Sequence, residues 1–334
     1  MRIGDASAWR ELHGDFFAGQ RVLITGGAGF IGSHLAEALA ALGAGVSVLD
    51  DLSGGSRENL AGFSPPVTMV EGSILDAALV GRLTAGCAYV FHQAALGSVP
   101  RSVEQPRLYN DVNTTGTLNV LEAARAAGVV RVMFAASSSA YGLNPVPWVE
   151  TMPVLPRSPY AATKVADEAL LRAYSASYGL DTAALRYFNI FGPRQNANSA
   201  YAAVIAAFAK AYLGGERPTI YGDGEQSRDF TFVYNAVQAN LLAARRSEAI
   251  GGEVINVGCG GRVSVNTLAK VMATQLGRPD LAPPVYQPER AGDIQHSYAD
   301  LTRARAILNY EPVVGFEEGL GQTLAWYRSV MAGR

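Results

Sequence analysis

Apolar residues in this chain fall mostly into short unbroken runs, separated by stretches with helical spacing. The first run is RVLIT (21–25), and glycines follow it at once. The runs at 45–50, 67–72, 88–95, 130–138 and 181–189 continue the series. Helical stretches lie between them, at 34–43 (ended by Gly43), 107–127 and 160–178. Short apolar strands alternating with helices predict a doubly wound parallel sheet covered on both faces, the α/β class. After about residue 190, Gly, Pro and Asn become frequent and the alternation loses its regularity. A first unit over 1–189 and a smaller C-terminal lobe over 190–334 are therefore expected. VINVGCG (254–260) reads as a strand that returns to the main sheet, so the first unit takes back a segment around 230–260.

Composition narrows the class. The chain has 334 residues, 49% of them hydrophobic and 17% charged, as in a compact enzyme. A formal charge of −2 and a pI near 6.1 provide no basic field for nucleic acid or anionic lipid. Cys87 and Cys259 form no CxxC and read as reduced core thiols, with one disulfide left open by count alone. The charged N-terminus has no apolar signal core, and the longest apolar stretch (35–49) is interrupted by Glu37 and glycines. A soluble, cytoplasmic protein with no metal site is expected.

TGGAGFIG places Gly26, Gly27, Gly29 and Gly32 between the first strand and its helix. Glycines there let the backbone turn sharply and approach a pyrophosphate, which rests on the helix N-terminal N–H groups. Asp50 ends the second strand, at the distance along the chain where a carboxylate meets an adenosine ribose. Asp51 adjoins it and no arginine follows closely, so a 2′-phosphate would be repelled and NAD is favoured over NADP. Strand, glycines, helix, strand and acid together describe a Rossmann-type dinucleotide site.

With NAD expected, SPYAATK (158–164) gains interest. Tyr160 and Lys164 lie one helical turn apart on one face. Ser137, Ser138 and Ser139 come at the carboxyl end of the 130–138 strand, the sheet edge where ligands bind. A free tyrosine has a pKa near ~10, and a nearby ammonium and a cationic nicotinamide would both lower it. A tyrosinate can then take a proton from a substrate hydroxyl while hydride leaves the same carbon.

These residues resemble the extended short-chain dehydrogenase/reductase family of nucleotide-sugar epimerases and dehydratases. The likeness runs through TGGAGFIGSHL (25–35), FHQAA (91–95), NTTGTLNVLEAA (113–124), SSSAYG (137–142), SPYAATK (158–164), RYFNIFGPRQ (186–195), GDGEQSRDF (222–230) and ERAGDI (289–294). It implies a Rossmann domain with a smaller nucleotide-sugar lobe and tightly held NAD in its oxidised resting form. It also implies a homodimer built through a four-helix bundle from the 107–127 and 160–178 helices. Ser137, Tyr160 and Lys164 match the catalytic triad. The implied cofactor contacts are Gly26, Gly29, Phe30, Ile31, Gly32, Asp50, Asp51, Ser53, Gly54, Ser73, Ile74, Gln93, Ala94, Ala95, Asn113 and Tyr187, besides Tyr160 and Lys164. Ser73 is a departure, since an Asp usually precedes the hydrophobic residue at the adenine. On the substrate side the resemblance implies Gly97, Ser98, Ser138, Ser139, Asn189, Val204 and Tyr221. Arg228 and Arg290 match a pyrophosphate clamp, Asp293 a ribose ligand and Ser297 a gate beside the sugar.

Within that family, 4,6-dehydratases place Asp-Glu after the Ser/Thr, and uronate decarboxylases keep a Glu two residues on. Here Ser138 and Ser139 stand there, and neither replaces a carboxylate. The resemblance therefore implies a UDP-sugar 4-epimerase, and bacterial UDP-N-acetylglucosamine 4-epimerases in particular. Gly97 stands where simple UDP-galactose epimerases carry a lysine, and Ser297 would leave room for an N-acetyl group. A UDP-uronic acid substrate stays open, with Arg101, Arg194 and His296 as possible carboxylate partners. So does a non-catalytic NAD-binding sensor, which would be expected to lose Tyr160 or Lys164.

Overall fold

The computed structural model describes residues 5–196, 204–281, 283–289 and 294–332. Seven parallel strands form the main sheet: β1 (Arg21–Thr25), β2 (Gly45–Asp50), β3 (Thr68–Glu71), β4 (Tyr89–His92), β5 (Arg131–Ser137), β6 (Thr182–Tyr187) and β7 (Glu253–Val257). Their order is β7-β6-β5-β4-β1-β2-β3. The chain runs outward from β1 to β3, then crosses back to β4 on the other side of β1. That reversal opens a crevice at the carboxyl ends of β1 and β4.

Alternation along the strands divides the core between the two sheet faces. Val22, Ile24 and Val48 pack with Leu35 and Leu39 of the Phe30–Ala41 helix and with Val237 and Leu241 of the Val233–Arg245 helix. Leu23, Leu49 and Val90 face the other way, toward Val120 and Leu121 of the Gly116–Ala127 helix and Leu171 of the Pro159–Tyr178 helix. β7 joins the sheet beside β6 after the chain has run through the Val204–Leu213 helix, and the helices Val265–Gln275 and Phe316–Ala332 follow it. An N-terminal helix, Ala6–His13, packs Trp9 against Tyr234. Both cysteines are free thiols. No helix among the described residues is long and apolar enough to cross a membrane.

The stretch read as one helix over 107–127 is helical throughout, from Pro106 to Ala127, with a π-helical turn at Asn110–Thr115 between Pro106–Tyr109 and Gly116–Ala127; a separate short helix, Val99–Glu104, precedes it. Pro106 has no N–H to continue the earlier helix and suits the first turn of a new one. The wider turn has a tertiary cause. It lets Asn113 reach across, donating to Leu96 O (3.2 Å) and Thr163 Oγ1 (3.0 Å) and accepting from Leu96 N (2.8 Å).

The Pro159–Tyr178 helix is defined at both ends. Ser158 Oγ accepts from Ala161 N at 3.1 Å, Pro159 starts the first turn, and Gly179 closes it in the left-handed region. Glu168 on its buried face takes two hydrogen bonds from Arg186 of β6, at 2.8 and 2.7 Å. The Arg186 guanidinium also lies 4.5 Å from the Tyr141 ring centre. Glu168→Ala would leave that guanidinium buried without its carboxylate, and should destabilise the fold by about 3–5 kcal/mol. Urea unfolding monitored by circular dichroism measures this, and a loss below about 1 kcal/mol would contradict the assignment.

Candidate functional site

The crevice holds a cavity of about 610 Å³, bordered by the loops that follow β1 to β4 and by the carboxyl ends of β5 and β6. After β1 come Gly26, Gly29, Phe30, Ile31 and Gly32; after β2, Asp50 (its last residue), Asp51, Ser53 and Gly54. Ile74 follows β3, and Gln93, Ala94, Ala95, Gly97 and Ser98 follow β4. Ser137 ends β5 and Tyr187 ends β6, with Tyr160 and Lys164 arriving from the helix between them.

Gly26 has φ of +69°, and a Cβ there would lie 2.6 Å from Ala94 N, so a side chain would fill the gap between two loops. At Gly32 a Cβ would stand 2.2 Å from Gly26 O, which explains how tightly the helix can approach the turn. No side chain caps the helix starting at Phe30, so its first N–H groups are left for a ligand. Asp50 Oδ2 accepts from Ala28 N (2.9 Å) and Oδ1 from Leu52 N (2.8 Å), which fixes the carboxylate against the glycine turn. Burial raises the Asp50 pKa, and these two N–H groups oppose the shift. Asp51 Oδ1 accepts from Ser53 N (2.9 Å) and Ser53 Oγ (2.6 Å). The open backbone cradle and paired acids fit the pyrophosphate and the 2′-hydroxyl ribose of NAD.

Lys164 is 3% exposed, and its Nζ donates to Ala135 O at 2.8 Å, 4.5 Å from the Phe134 ring centre. Ser139 donates from both N (3.2 Å) and Oγ (2.9 Å) to Ser137 Oγ, which leaves the Ser137 proton free to point at Tyr160. One expectation is corrected here. In the chain alone the Tyr160 pKa is raised, chiefly by burial, and the Ser137 hydroxyl is the group that favours the phenolate. The Lys164 ammonium is turned to the Ala135 carbonyl and the Phe134 face, and is itself weakened by burial.

Two expected cofactor contacts are not among the lining residues. Asn113 is 1% exposed and uses its amide on Leu96 and Thr163, so it shapes the loop after β4. Ser73 Oγ accepts from Leu75 N at 3.2 Å. Of the residues expected on the substrate side, Gly97 and Ser98 line the cavity, and Asn189, Ser297 and Arg228 lie together, Asn189 being one residue from Ile190 on the cavity wall. Asn189, at φ +37°, donates to Ser297 Oγ at 3.2 Å. Ser297 is 4% exposed and stands in register with Arg228 across a short parallel strand pair. Arg228 donates to Ser227 O (2.9 Å) and Gln295 O (3.2 Å). Asp229 ties this pair down by accepting from Cys259 N, Gly260 N and Ala299 N at 2.8 to 3.2 Å. Val204 opens a helix and Tyr221 ends a short strand, neither on the cavity wall; Ser138 is also off it. Arg290 and Asp293 lie outside the described residues.

Sequence reasoning missed the polar floor. Asn240, fully buried, donates to Tyr187 Oη (2.6 Å) and accepts from Gln93 Nε2 (3.3 Å), holding two lining residues together. An Asn inside an apolar helix at 233–245 was the available signal.

The family model described as NAD dependent epimerase/dehydratase family matches residues 22–258. A UDP-glucose 4-epimerase of Mycolicibacterium smegmatis is 43% identical over 314 residues, covering 92% of this chain and 99% of that one. A solved UDP-N-acetylglucosamine 4-epimerase from Methanobrevibacter ruminantium M1, in complex with UDP-N-acetylmuramic acid, superposes with a TM-score of 0.89. It is 42% identical and covers 94% of this chain and 100% of that one. The Thermotoga maritima UDP-glucose 4-epimerase with UDP-glucose gives 0.87 at 39% identity, covering 93% and 100%. The matched span takes in the glycine turn, Asp50, Ser137 and the Tyr160–Lys164 helix, and this chain belongs to the NAD dependent epimerase/dehydratase family.

Proposed function

We propose that this chain, an NAD-dependent UDP-sugar 4-epimerase, interconverts UDP-N-acetylglucosamine and UDP-N-acetylgalactosamine. The observation that carries the choice of sugar is Ser297. It is small, buried and hydrogen-bonded to Asn189, and the family resemblance assigns it the gate beside the sugar, where a small side chain leaves room for an N-acetyl group. The likeness to a UDP-N-acetylglucosamine 4-epimerase over nearly the whole chain supports the same choice.

Bound NAD supplies a hydride acceptor that returns the hydride to the opposite face of the sugar. The protein handles the proton. Tyr160, as phenolate, takes it from the 4-hydroxyl, and Ser137 donates into the same hydrogen bond. Ser139 fixes the direction of the Ser137 hydroxyl by donating to it. No carboxylate adjoins Ser137, since Ser138 and Ser139 are both hydroxyl residues. The acid/base pair needed to eliminate water or lose a carboxyl group is therefore missing there, and oxidation at C4 followed by reduction accounts for the groups present. Arg228 and Arg290 would hold the diphosphate, and Asp293 the ribose. Leu108, Leu118 and Tyr178, exposed on the helices beside the site, support assembly as a homodimer through those helices.

Tyr160→Phe removes the base and should lower kcat by about 100-fold or more while UDP binding by calorimetry stays close to wild type. Activity near wild type would refute the phenolate role. Across UDP-N-acetylglucosamine, UDP-glucose and UDP-glucuronate, the wild type should turn over the first with the highest kcat/KM. Ser297→Tyr should depress that substrate at least about 10-fold more than UDP-glucose, on the scale of a few lost or clashing carbon atoms. Equal losses on both, or a wild-type preference for UDP-glucuronate, would sink the assignment of the sugar.

A further inference from the structure

Asp167 is fully buried one turn beyond Lys164 on the same helix, and neither carboxylate oxygen has a hydrogen-bond partner. Thr114 Oγ1, from the π-helical turn packed against this helix, is likewise buried and unpartnered. Buried carboxylates ordinarily collect donors, and one held for stability alone would do so. Here the Thr114 and Thr117 hydroxyls lie near the carboxylate without closing a hydrogen bond, and the Lys164 charge is the larger interaction that favours its ionised form.

We propose that Asp167 is a positioning residue for the epimerase reaction, a buried counter-charge that keeps Lys164 protonated beneath Tyr160. The surrounding groups leave few alternatives. Glu168, the next residue, is committed to Arg186 through both oxygens, and its charge supports Lys164 less than that of Asp167 does. His92 lies between Thr25 Oγ1 (2.6 Å) and Thr117 Oγ1 (2.9 Å) and is neutral, its pKa lowered to about 3 by burial and the Lys164 charge. The Thr114 and Thr117 hydroxyls are close enough to favour the ionised Asp167 carboxyl, and Tyr109 adjoins Tyr160. The cation facing Asp167 is therefore Lys164.

Burial drives the two groups toward neutrality, lowering Lys164 and raising Asp167, and the charge of each opposes the loss in the other. The sign follows directly. Without the carboxylate, burial acts on Lys164 with less opposition, and the lysine gives up its proton at lower pH. The same carboxylate also raises the Tyr160 pKa, so Asp167 sets the lower and upper ends of the pH range in which a phenolate stands above an ammonium.

The inference rests on Tyr160 and Lys164 acting together, but not on which sugar is bound. Its test is a pH titration of ¹³C-labelled lysine by NMR on the NAD-loaded protein, in which Lys164, Lys210 and Lys270 are the lysines to be resolved. In Asp167→Asn the Lys164 midpoint should fall by about one unit or more, while Lys210 and Lys270 hold theirs. The alkaline limb of the kcat profile should move down with it, and Asp167→Glu should restore most of the shift. Thr114→Val, which weakens the carboxylate without removing it, should move Lys164 the same way by less. A Lys164 midpoint that stays put or rises in Asp167→Asn overturns the proposal. If that variant does not fold, Thr114→Val decides by the same criterion. The titration remains readable in a protein inactive on every UDP-sugar, so this inference and the proposed function can fail separately.

Discussion

The hydrogen bond from Lys164 Nζ to the Ala135 carbonyl joins the Pro159–Tyr178 helix to the strand that carries Ser137. Burying an ammonium is unfavourable unless it is paired and hydrogen-bonded. Here a strand-end carbonyl, an aromatic face and a carboxylate one turn away share that role. The rest of the site depends on this arrangement, because it fixes Tyr160 over the carboxyl edge of the sheet. Ser158, Pro159 and the Glu168–Arg186 pair hold the same helix from its start to its middle.

Polar groups under the site are consequently arranged as a layer between the two apolar faces. His92 links Thr25 at the end of β1 to Thr117, while Asn240 links Tyr187 to Gln93. Each of these bonds fixes a strand end or loop that lines the cavity. The substrate cluster is anchored separately, through Asp229 and the short strand pair that sets Ser297 opposite Arg228.

Much of the sheet was legible in the sequence, because buried parallel strands are short apolar runs bounded by glycines and helices. RVLIT and GVSVLD begin and end where the pattern put them. The run at 88–95 was overextended, since β4 stops at His92 and residues 93–95 leave the ladder to line the cavity. The first helix begins at Phe30, earlier than residue 34, because the glycine turn itself leads into it. The π-helical turn could not be read, as its cause is Asn113 reaching Leu96 and Thr163, contacts that no periodicity records. Ser137, Tyr160 and Lys164, singled out from the sequence, come to one cavity. The direction of the Tyr160 shift was not legible, because it depends on burial and on where the Lys164 ammonium points.

The central claim is that hydride leaves and returns at one carbon while Tyr160 holds the proton, all within one closed site. The direct measurement follows a UDP-N-acetylglucosamine deuterated at C4, mixed with unlabelled UDP-glucose as a second substrate, by mass spectrometry and NMR. The account predicts UDP-N-acetylgalactosamine with the deuterium still at C4, and no label passed to the other sugar. Loss of deuterium to water, or its appearance in the second sugar, would contradict it.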